Sequence, residues 1–241
     1  IIADAACLVF PEYLTTPPLE VVDLKNLAEG AHAHGLPLIV DTTAVPFTDI
    51  DAHEMGIDVE VLSSTKYISG GATSLGGLIL DFGTFEEVNQ RIRFEFLFNL
   101  GTYMTPQVAY MQTLGLETLD VRYRKQAQNA FDLAHALQKL PQVKRVNYPG
   151  LALGKPLGAM LTIDLESEQK CLDFLNQLQL IRRATNLFDN KSLAIHPYST
   201  IFVNFTPEEK KDMDVLDTTI RLSMGLEDAD DLVDDIKQAL G

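Results

Sequence analysis

A lysine and several small polar side chains follow two short apolar runs of the sequence. The first run, Leu38–Val40, ends in Asp41. The second run, Val59–Leu62, leads directly into Ser63–Tyr67. Both runs are rich in β-branched residues, which is typical of buried strands in a parallel sheet. Because ligands of such sheets collect at the carboxyl ends of the strands, we expect these polar residues to share one binding site.

An acid, two hydroxyl groups and a lysine at neighbouring strand ends suit a particular kind of cofactor. They match one that has an aldehyde, a phosphate and a protonatable ring nitrogen. Lys66 would bond covalently to the aldehyde. Ser63 and Thr65 would donate hydroxyl hydrogen bonds to the phosphate, and Asp41 would keep the ring nitrogen protonated. Each of these residue types also has an ordinary structural role, as a solvated lysine, a turn aspartate or a local hydroxyl cap.

The same segment permits a second interpretation. Ser63 and Lys66 have the Ser-x-x-Lys spacing of serine β-lactamases and penicillin-binding proteins, in which the serine is acylated. Those enzymes also carry Ser-Asp-Asn and Lys-Thr-Gly, and neither tripeptide occurs in this sequence. The spacing alone therefore favours this interpretation less than a cofactor site.

The composition limits the possible partners and the cellular setting. The 241 residues carry a formal net charge of -15, which disfavours nucleic acid or an anionic membrane as the main partner. With 46% apolar residues the chain can bury a core, and no apolar run approaches the roughly 20 residues that span a bilayer. Two cysteines are too few for a disulfide scaffold, and Cys7 is expected to be a buried free thiol in a reducing compartment. Because the chain starts at Ile1 in a strand-like run, we expect a piece of a longer protein.

The order of the predicted elements indicates an α/β fold. Strands alternate with helices up to residue 83, which is the pattern of a mostly parallel sheet, and Asp23 is expected to cap a helix that ends near Gly35. Longer helices follow, with a predicted break at Gly115 and a domain boundary near residue 118. The predicted strands are 6–10, 38–41, 59–63, 75–80, 143–147 and 160–165, and the predicted later helices are 85–98, 106–140, 168–179 and 228–240.

Several motifs stand in an order that resembles a known family. Asp41–Thr43, Ser63–Ile68 and Thr73–Gly77 are followed by Gly115–Leu119 and Arg221–Asp228. Together these segments resemble the Cys/Met-metabolism family of pyridoxal-phosphate (PLP) enzymes over essentially the whole chain. The resemblance implies the fold type I of PLP-dependent transferases, with residues 1–118 as the C-terminal half of the PLP-binding large domain and 119–241 as the C-terminal small domain. The family's N-terminal portion, with its phosphate-binding loop and ring-stacking tyrosine, has no counterpart in the sequence.

The resemblance also implies roles for individual residues. Lys66 would be the catalytic lysine that binds PLP, with Asp41, Thr43, Ser63 and Thr65 as further cofactor-binding residues. Asn186 and Arg221 would bind the substrate carboxylate. No metal site is implied. His196 is interpreted as a structural histidine.

Within the family, the segment from Asn186 to Thr200 looks most like the O-acetylhomoserine sulfhydrylases. This similarity implies γ-replacement on an activated homoserine ester by sulfide or a thiol, in a cytoplasmic homo-oligomer built as a dimer of dimers. Elimination of the cystathionine or methionine γ-lyase type, or the related γ-synthase reaction, remains an alternative, as does a catalytically inactive truncated paralogue. Phe188 stands where the sulfhydrylases have glycine, and it predicts a substrate loop of different shape, since phenylalanine does not readily adopt a positive φ.

Overall fold

The computed structural model describes residues 6–83 and 86–241. The chain divides into two structural units. Unit 1 consists of the residues before Thr16 together with Val21–Glu117, and unit 2 consists of Thr16–Glu20 and Thr118–Gly241. Among the described residues, no helix combines the length and apolar character needed to cross a membrane.

Unit 1 contains a three-stranded sheet in the order β1-β2-β3. Its strands are β1 (Ile39–Asp41), β2 (Val59–Leu62) and β3 (Leu78–Asp81). β1 and β2 are parallel, with Asp41 opposite Val61, so the expected pair of parallel strands is confirmed. Their carboxyl ends therefore lie at the same edge of the sheet.

The third strand differs from the prediction in position, and it is the antiparallel member of this sheet. It runs antiparallel to β2 and starts at Leu78 rather than Leu75. The residues before it are held by the lysine-bearing loop, because the Thr65 amide donates to the Gly76 carbonyl at 3.3 Å. A chain held in this way cannot also enter the sheet at Leu75, whose side chain is exposed.

The segment before α1 lies along the outer side of β1. Val9 and Glu12 form isolated parallel bridges with Leu38 and Asp41, which is less regular than the predicted strand 6–10. Residues 1–5 lie outside the described residues. The expectation that Cys7 is buried is wrong: its side chain is exposed, because the described pairing with β1 begins only at Val9.

The first helix matches its prediction closely. α1 spans Leu24–Ala33, and the Asp23 carboxylate caps it by accepting from the Asn26 amide at 3.2 Å. Its buried residues recur at helical spacing, and the chain leaves the helix through a left-handed Gly35 with φ +69°.

A second helical stretch of unit 1 changes its geometry along its length. α2 (Glu86–Arg91) continues into a π-helix (Ile92–Asn99), and α3 (Pro106–Leu116) follows. The prediction began this stretch at Phe85, which lies outside the described residues. None of the π-helix residues is buried, and Phe94 and Phe98 are 64% and 79% exposed.

The helix predicted over 106–140 is broken close to Gly115, as expected, but Gly115 does not itself form the break. Gly115 lies within α3, and the helix ends at the next residue, before α4 (Leu119–Leu137). A Cβ at Gly115 would overlap the Ile68 carbonyl oxygen. The glycine therefore allows close packing of the helix on the lysine-bearing loop and does not interrupt the helix.

Unit 2 contains a five-stranded sheet in the order β4-β5-β8-β7-β6. β6 and β7 are parallel, and the other neighbours are antiparallel. The strands are β4 (Arg145–Asn147), β5 (Met160–Asp164), β6 (Arg182–Arg183), β7 (Leu193–Ile195) and β8 (Thr219–Ser223).

Helices of unit 2 bury their apolar faces against this sheet. The hydrophobic core includes Leu133, Ile163, Phe174, Leu222 and Ile236, each 0–1% exposed. The predicted strands near residues 145 and 160 and the predicted helices near 168 and 228 are confirmed to within two residues at each end. The helices after α4 are α5 (Pro149–Leu153), α6 (Glu168–Gln177), a 3₁₀ turn (Pro197–Ser199), α7 (Pro207–Asp212) and α8 (Ala229–Leu240).

Candidate active site

Asp41 ends β1 with its carboxylate at the edge of the sheet. The side chain is half-buried, and its Oδ1 accepts a hydrogen bond from the Thr43 amide at 2.8 Å. Among the described residues, Oδ2 makes no hydrogen bond, and Asp41 lines an open cavity of about 1140 Å³ in unit 1. One carboxylate oxygen is thus fixed by a backbone hydrogen bond, and the other can accept a hydrogen bond from a ligand.

Thr43 connects the ends of the two parallel strands. Its hydroxyl oxygen accepts from the Ser63 amide at 2.8 Å, while its own amide donates to Asp41. The loop after β1 is therefore tied to the loop after β2. This link brings the acid at one strand end next to the start of the lysine-bearing segment.

The lysine lies in a turn whose neighbouring side chains are anchored in the protein interior. Tyr67 and Ile68 are 2% and 1% exposed, and the Tyr67 hydroxyl contacts the Ala44 carbonyl at 3.4 Å. The Ser69 hydroxyl donates to the Thr65 carbonyl at 2.6 Å. Lys66, in contrast, is only half-buried. The turn thus buries two neighbours of the lysine and leaves the lysine itself at the surface of the unit.

The two predicted phosphate ligands have different surroundings. Thr65 is engaged with Gly76: its oxygen accepts from the Gly76 amide at 3.0 Å, and its proton faces the Gly76 carbonyl at 3.3 Å. Among the described residues, the Ser63 hydroxyl has no partner, so it can donate without breaking an existing bond. A phosphate oxygen at Thr65 would compete with the Gly76 carbonyl.

Gly76 also determines how closely the surrounding polar groups pack. A Cβ at this position would lie 2.7 Å from both the Ser64 Oγ and the Gln112 Nε2. These two polar groups are buried, and among the described residues neither atom has a hydrogen-bond partner. The sequence analysis did not identify Gln112 as part of this region and gave Ser64 no role, although Ser64 and Gly76 belonged to quoted motifs.

The residues of unit 1 fit the cofactor class that the sequence suggested. Asp41 offers an acceptor atom, Ser63 a hydroxyl donor, and Lys66 an amine on the turn that follows β2, where the Lys66 backbone amide donates to the Ser63 carbonyl at 3.3 Å. A protonated ring nitrogen, a phosphate and an aldehyde require these three kinds of group, respectively. The structure brings Asp41, Thr43, Ser63, Thr65 and Lys66 together at one edge of the unit 1 sheet.

Arg221 occupies the centre of the unit 2 sheet, on β8. Its side chain is 7% exposed, and Nη2 donates to the Thr185 carbonyl at 2.9 Å and contacts the Asn186 carbonyl at 3.4 Å. Burial lowers the pKa of the guanidinium to about 10. Among the described residues it has no acidic partner, and its Nη1 and Nε have no hydrogen-bond acceptor. A buried cation of this kind is stabilised by an anionic ligand.

Asn186 lies next to Arg221 but contacts it through the backbone. The Asn186 carbonyl faces Nη2 of the arginine, whereas its side-chain amide contacts Asp189 at 3.4 Å. The structure therefore brings the two predicted substrate-binding residues of unit 2 together. The contact of Asn186 with Arg221 is through main-chain oxygen rather than through the amide.

The prediction that Phe188 changes the shape of its loop is wrong. Phe188 adopts φ +57°, the left-handed conformation that glycine would favour, and its ring is 1% exposed. Its amide donates to the Ser223 hydroxyl at 2.7 Å. Burial of the ring offsets the unfavourable backbone conformation, so the loop keeps the backbone geometry that a glycine would allow.

His196 has the structural role that the sequence analysis expected. It is 1% exposed, and its two ring nitrogens contact the Ser199 hydroxyl and the Asp217 carbonyl at 2.8 Å and 2.7 Å. Both polar atoms of the ring are thus satisfied within unit 2.

Two buried amides of α4 hold residue 189 and the chain that follows β8, and the sequence analysis gave them no role. Gln126 donates to the Asp189 carbonyl at 2.6 Å, and Asn129 donates to the Gly225 and Glu227 carbonyls at 2.9 Å and 2.8 Å. Polar residues on the buried face of an amphipathic helix were the signal that could have identified them. In the described parts of the chain, no group of three or more His, Cys, Asp or Glu side chains could hold a metal ion.

Comparison with known proteins identifies the class to which this arrangement belongs. The family model described as "Cys/Met metabolism PLP-dependent enzyme" matches residues 1–241. An L-methionine gamma-lyase of Pseudomonas putida is 34% identical over 98% of this chain and 62% of its own length. An O-acetyl-L-homoserine sulfhydrylase of Leptospira meyeri is 30% identical over 96% of this chain and 63% of its own length. The chain thus spans less than two thirds of the length of these curated relatives.

Solved structures agree with this assignment. A Campylobacter jejuni protein assigned as an O-acetylhomoserine (thiol)-lyase, which carries a pyridoxyl-lysine monophosphate, is similar over 100% of this chain and 67% of its own, with a TM-score of 0.94 at 30% identity. An O-acetylhomoserine sulfhydrylase of Wolinella succinogenes is similar over 100% of this chain and 73% of its own, with a TM-score of 0.84 at 38% identity.

The fold is that of the PLP-dependent enzymes of fold type I. Within that class, the chain belongs to the Cys/Met-metabolism family, whose cofactor is PLP. The family assignment and fold class expected from the sequence are therefore confirmed.

Proposed function

We propose that this chain carries the lysine-bearing part of a PLP site for γ-replacement on an activated homoserine ester. In this reaction sulfide or a thiol would replace the ester group at the γ-carbon. The observation that carries the proposal is the hydrogen bond from the Ser63 amide to Thr43, which joins the ends of β1 and β2 beside Lys66. The similarity to O-acetylhomoserine sulfhydrylases supports the choice of substrate class.

The residues of unit 1 would bind the cofactor through complementary groups. When bound, PLP supplies an aldehyde that reacts with amines and a ring that stabilises negative charge at the substrate α-carbon. Asp41 would pair with the ring nitrogen through its Oδ2, and Thr43 would lie beside the ring. Ser63 and Thr65 would hold the phosphate, and Lys66 would bond to the aldehyde.

Lys66 would also move the protons of the reaction. After the substrate amine displaces it, its Nζ becomes a base close to the substrate. Holding one added proton at a time, it would accept a proton from the α-carbon and, after giving that proton up, one from the β-carbon, as the γ-acyloxy group leaves as a carboxylate. It would return a proton to each of those carbons after the thiol has added at the γ-carbon.

Unit 2 would contribute the recognition of the amino acid. Arg221 is a buried cation without an acidic partner among the described residues, and a substrate carboxylate would supply that partner. Asn186 would assist through its carbonyl, which contacts Nη2 of the arginine. A substrate without a carboxylate would leave this cation uncompensated.

We further propose that residues 1–118 form the C-terminal half of the large domain and 119–241 the small domain of a cytoplasmic homo-oligomer, a dimer of dimers. The exposed apolar side chains of the π-helix and α3 support an oligomer. Phe94, Phe98 and Tyr110 are 64%, 79% and 66% exposed, and large apolar side chains left exposed in number are typical of protein interaction surfaces.

Elimination is the second candidate reaction. It would release the γ-substituent without replacing it, and the similarity to the P. putida methionine gamma-lyase favours it. Replacement and elimination would use the same lysine as base, so the products distinguish them.

The test is product analysis with O-acetyl-L-homoserine, sulfide and added PLP. Homocysteine with acetate would support γ-replacement. 2-Oxobutyrate with ammonia would instead support elimination. If neither set of products forms, and the chain behaves like its matched control variant Lys66→Ala, the result would support the catalytically inactive paralogue.

A further inference from the structure

We propose that Phe188 and Ser223 position the guanidinium of Arg221, and thereby set the affinity of unit 2 for the substrate carboxylate. This inference rests on the proposed function for the role of the carboxylate. The positioning itself is a property of the protein alone and can be measured without substrate.

The alternation of β8 places Arg221 and Ser223 on one face of the strand. Residues two apart in a strand point to the same side. The intervening Leu222 and the preceding Ile220 belong to the hydrophobic core of unit 2, which fixes the opposite side of the strand. The two polar side chains therefore project together, away from that core.

Both side chains hold the same short segment, residues 185–188. Arg221 Nη2 donates to the Thr185 carbonyl at 2.9 Å, and the Ser223 hydroxyl accepts from the Phe188 amide at 2.7 Å. The segment is thus attached to β8 at both of its ends. Movement of the Phe188 end would change the position of the carbonyls that orient the arginine.

Phe188 restricts the segment to one arrangement. Its backbone has φ +57°, a conformation that L side chains rarely adopt, and its ring is almost fully buried. The buried ring anchors the residue, and the left-handed backbone directs its amide toward Ser223. The carbonyls of Thr185 and Asn186 are then presented to Nη2, which fixes the plane of the guanidinium and leaves Nη1 and Nε for a ligand.

The following part of the loop is secured by other groups. Gln126 donates to the Asp189 carbonyl at 2.6 Å, and the Leu226 amide donates to the Asn190 carbonyl at 2.9 Å. Removal of the Ser223 hydroxyl should therefore loosen residues 185–188 without releasing the whole loop.

The experiment compares Ser223→Ala with Thr219→Val in the full chain. Thr219 lies on the same face of β8, and its buried hydroxyl bonds to Asp164 at 2.5 Å rather than to residues 185–188. Rotation of the Arg221 guanidinium would be measured by NMR of its side-chain nitrogens. Affinity for L-homoserine, and for 3-aminopropan-1-ol, which lacks the carboxylate, would be measured by calorimetry with PLP present. Phe188→Ala provides a second variant.

We expect Ser223→Ala and Phe188→Ala to speed the guanidinium rotation and to weaken L-homoserine binding by about tenfold, the effect of one lost hydrogen bond. In these two variants, the affinity for 3-aminopropan-1-ol should not change. In Thr219→Val, the guanidinium rotation and the affinity for L-homoserine should both remain as in the parent chain. Unchanged rotation in both variants, or equal loss for both ligands, would overturn the inference. If Arg221→Lys does not alter the preference for L-homoserine, the proposed role of Arg221 fails, while the rotation measurement still decides whether Ser223 and Phe188 position it.

Discussion

The Thr43 hydroxyl accepts a hydrogen bond from the Ser63 amide at 2.8 Å, across the ends of two parallel strands. The amide of Thr43 also donates to Asp41 at 2.8 Å, so a single threonine connects the acid of β1 with the segment that leads to Lys66. A connection of this kind holds the candidate cofactor residues in place before any ligand arrives. Preorganised groups bind a ligand with less loss of conformational entropy.

Thr43→Val should weaken this connection. Valine has nearly the same shape but no oxygen, so the Ser63 amide loses its acceptor at a cost of about 1–3 kcal/mol in unfolding free energy. PLP affinity should fall as well. The variant Thr43→Ser retains the hydroxyl and should therefore keep most of the stability and most of the PLP affinity. Denaturant unfolding and titration with PLP measure the two effects. Equal behaviour of the valine and serine variants would show that the hydroxyl does not have this role.

Gly115→Ala should destabilise unit 1. The new Cβ would overlap the Ile68 carbonyl oxygen, so α3 or the lysine-bearing loop must move, at a cost of about 1–3 kcal/mol. Gly30→Ala is the matched control, because Gly30 is also in a helix but has open space around it. That control should stabilise the protein by about 0.5–1 kcal/mol. In thermal unfolding, the midpoint temperature should therefore fall for Gly115→Ala and rise for Gly30→Ala.

Glu60 should make the stability depend on pH. It is 1% exposed on β2, and among the described residues neither carboxylate oxygen has a hydrogen-bond partner. Burial raises its pKa from 4.5 to about 7. Between these two pH values the folded state binds more protons than the unfolded state, so the free energy of unfolding falls as the pH rises. The loss attributable to Glu60 should approach about 3 kcal/mol above pH 7, since one pKa unit corresponds to about 1.4 kcal/mol.

Glu60→Gln isolates this effect from the repulsion among the many other acids. The amide cannot ionise, so the variant should lose less stability than the parent chain between about pH 5 and pH 8. Denaturant unfolding at several pH values measures the difference between the two slopes. Parallel curves for both proteins would mean that Glu60 does not titrate in this range.

Phe188→Gly should destabilise unit 2 although it relieves the backbone. Loss of a buried phenylalanine side chain costs about 3–5 kcal/mol, whereas relief of a left-handed backbone returns only about 1–2 kcal/mol. Ala72 has a similar φ of +55° but an exposed side chain, so Ala72→Gly should change stability by less than about 1 kcal/mol. Chemical denaturation of the two variants compares them directly. A stabilised Phe188→Gly variant would contradict the role given to the buried ring.

The elements around the lysine were predictable because the local sequence patterns determine them strongly. Short β-branched runs indicated β1 and β2, and the polar residues after them indicated the shared edge. β8 was not predicted, because all five of its residues are buried and one is an arginine, a residue type that is rarely found inside a buried strand. The roles of Gly115 and Phe188 depend on contacts with residues far away in the sequence, and no local pattern encodes them.

The most direct test of the central proposal is the attachment of PLP to Lys66. The purified chain would be incubated with PLP, reduced with borohydride, digested and mapped by mass spectrometry. We predict one reduced pyridoxyl adduct on Lys66, absent in Lys66→Ala and weakened in Thr43→Val. No adduct, or an equal distribution of adducts over surface lysines, would contradict the proposal that this edge of the sheet binds the cofactor.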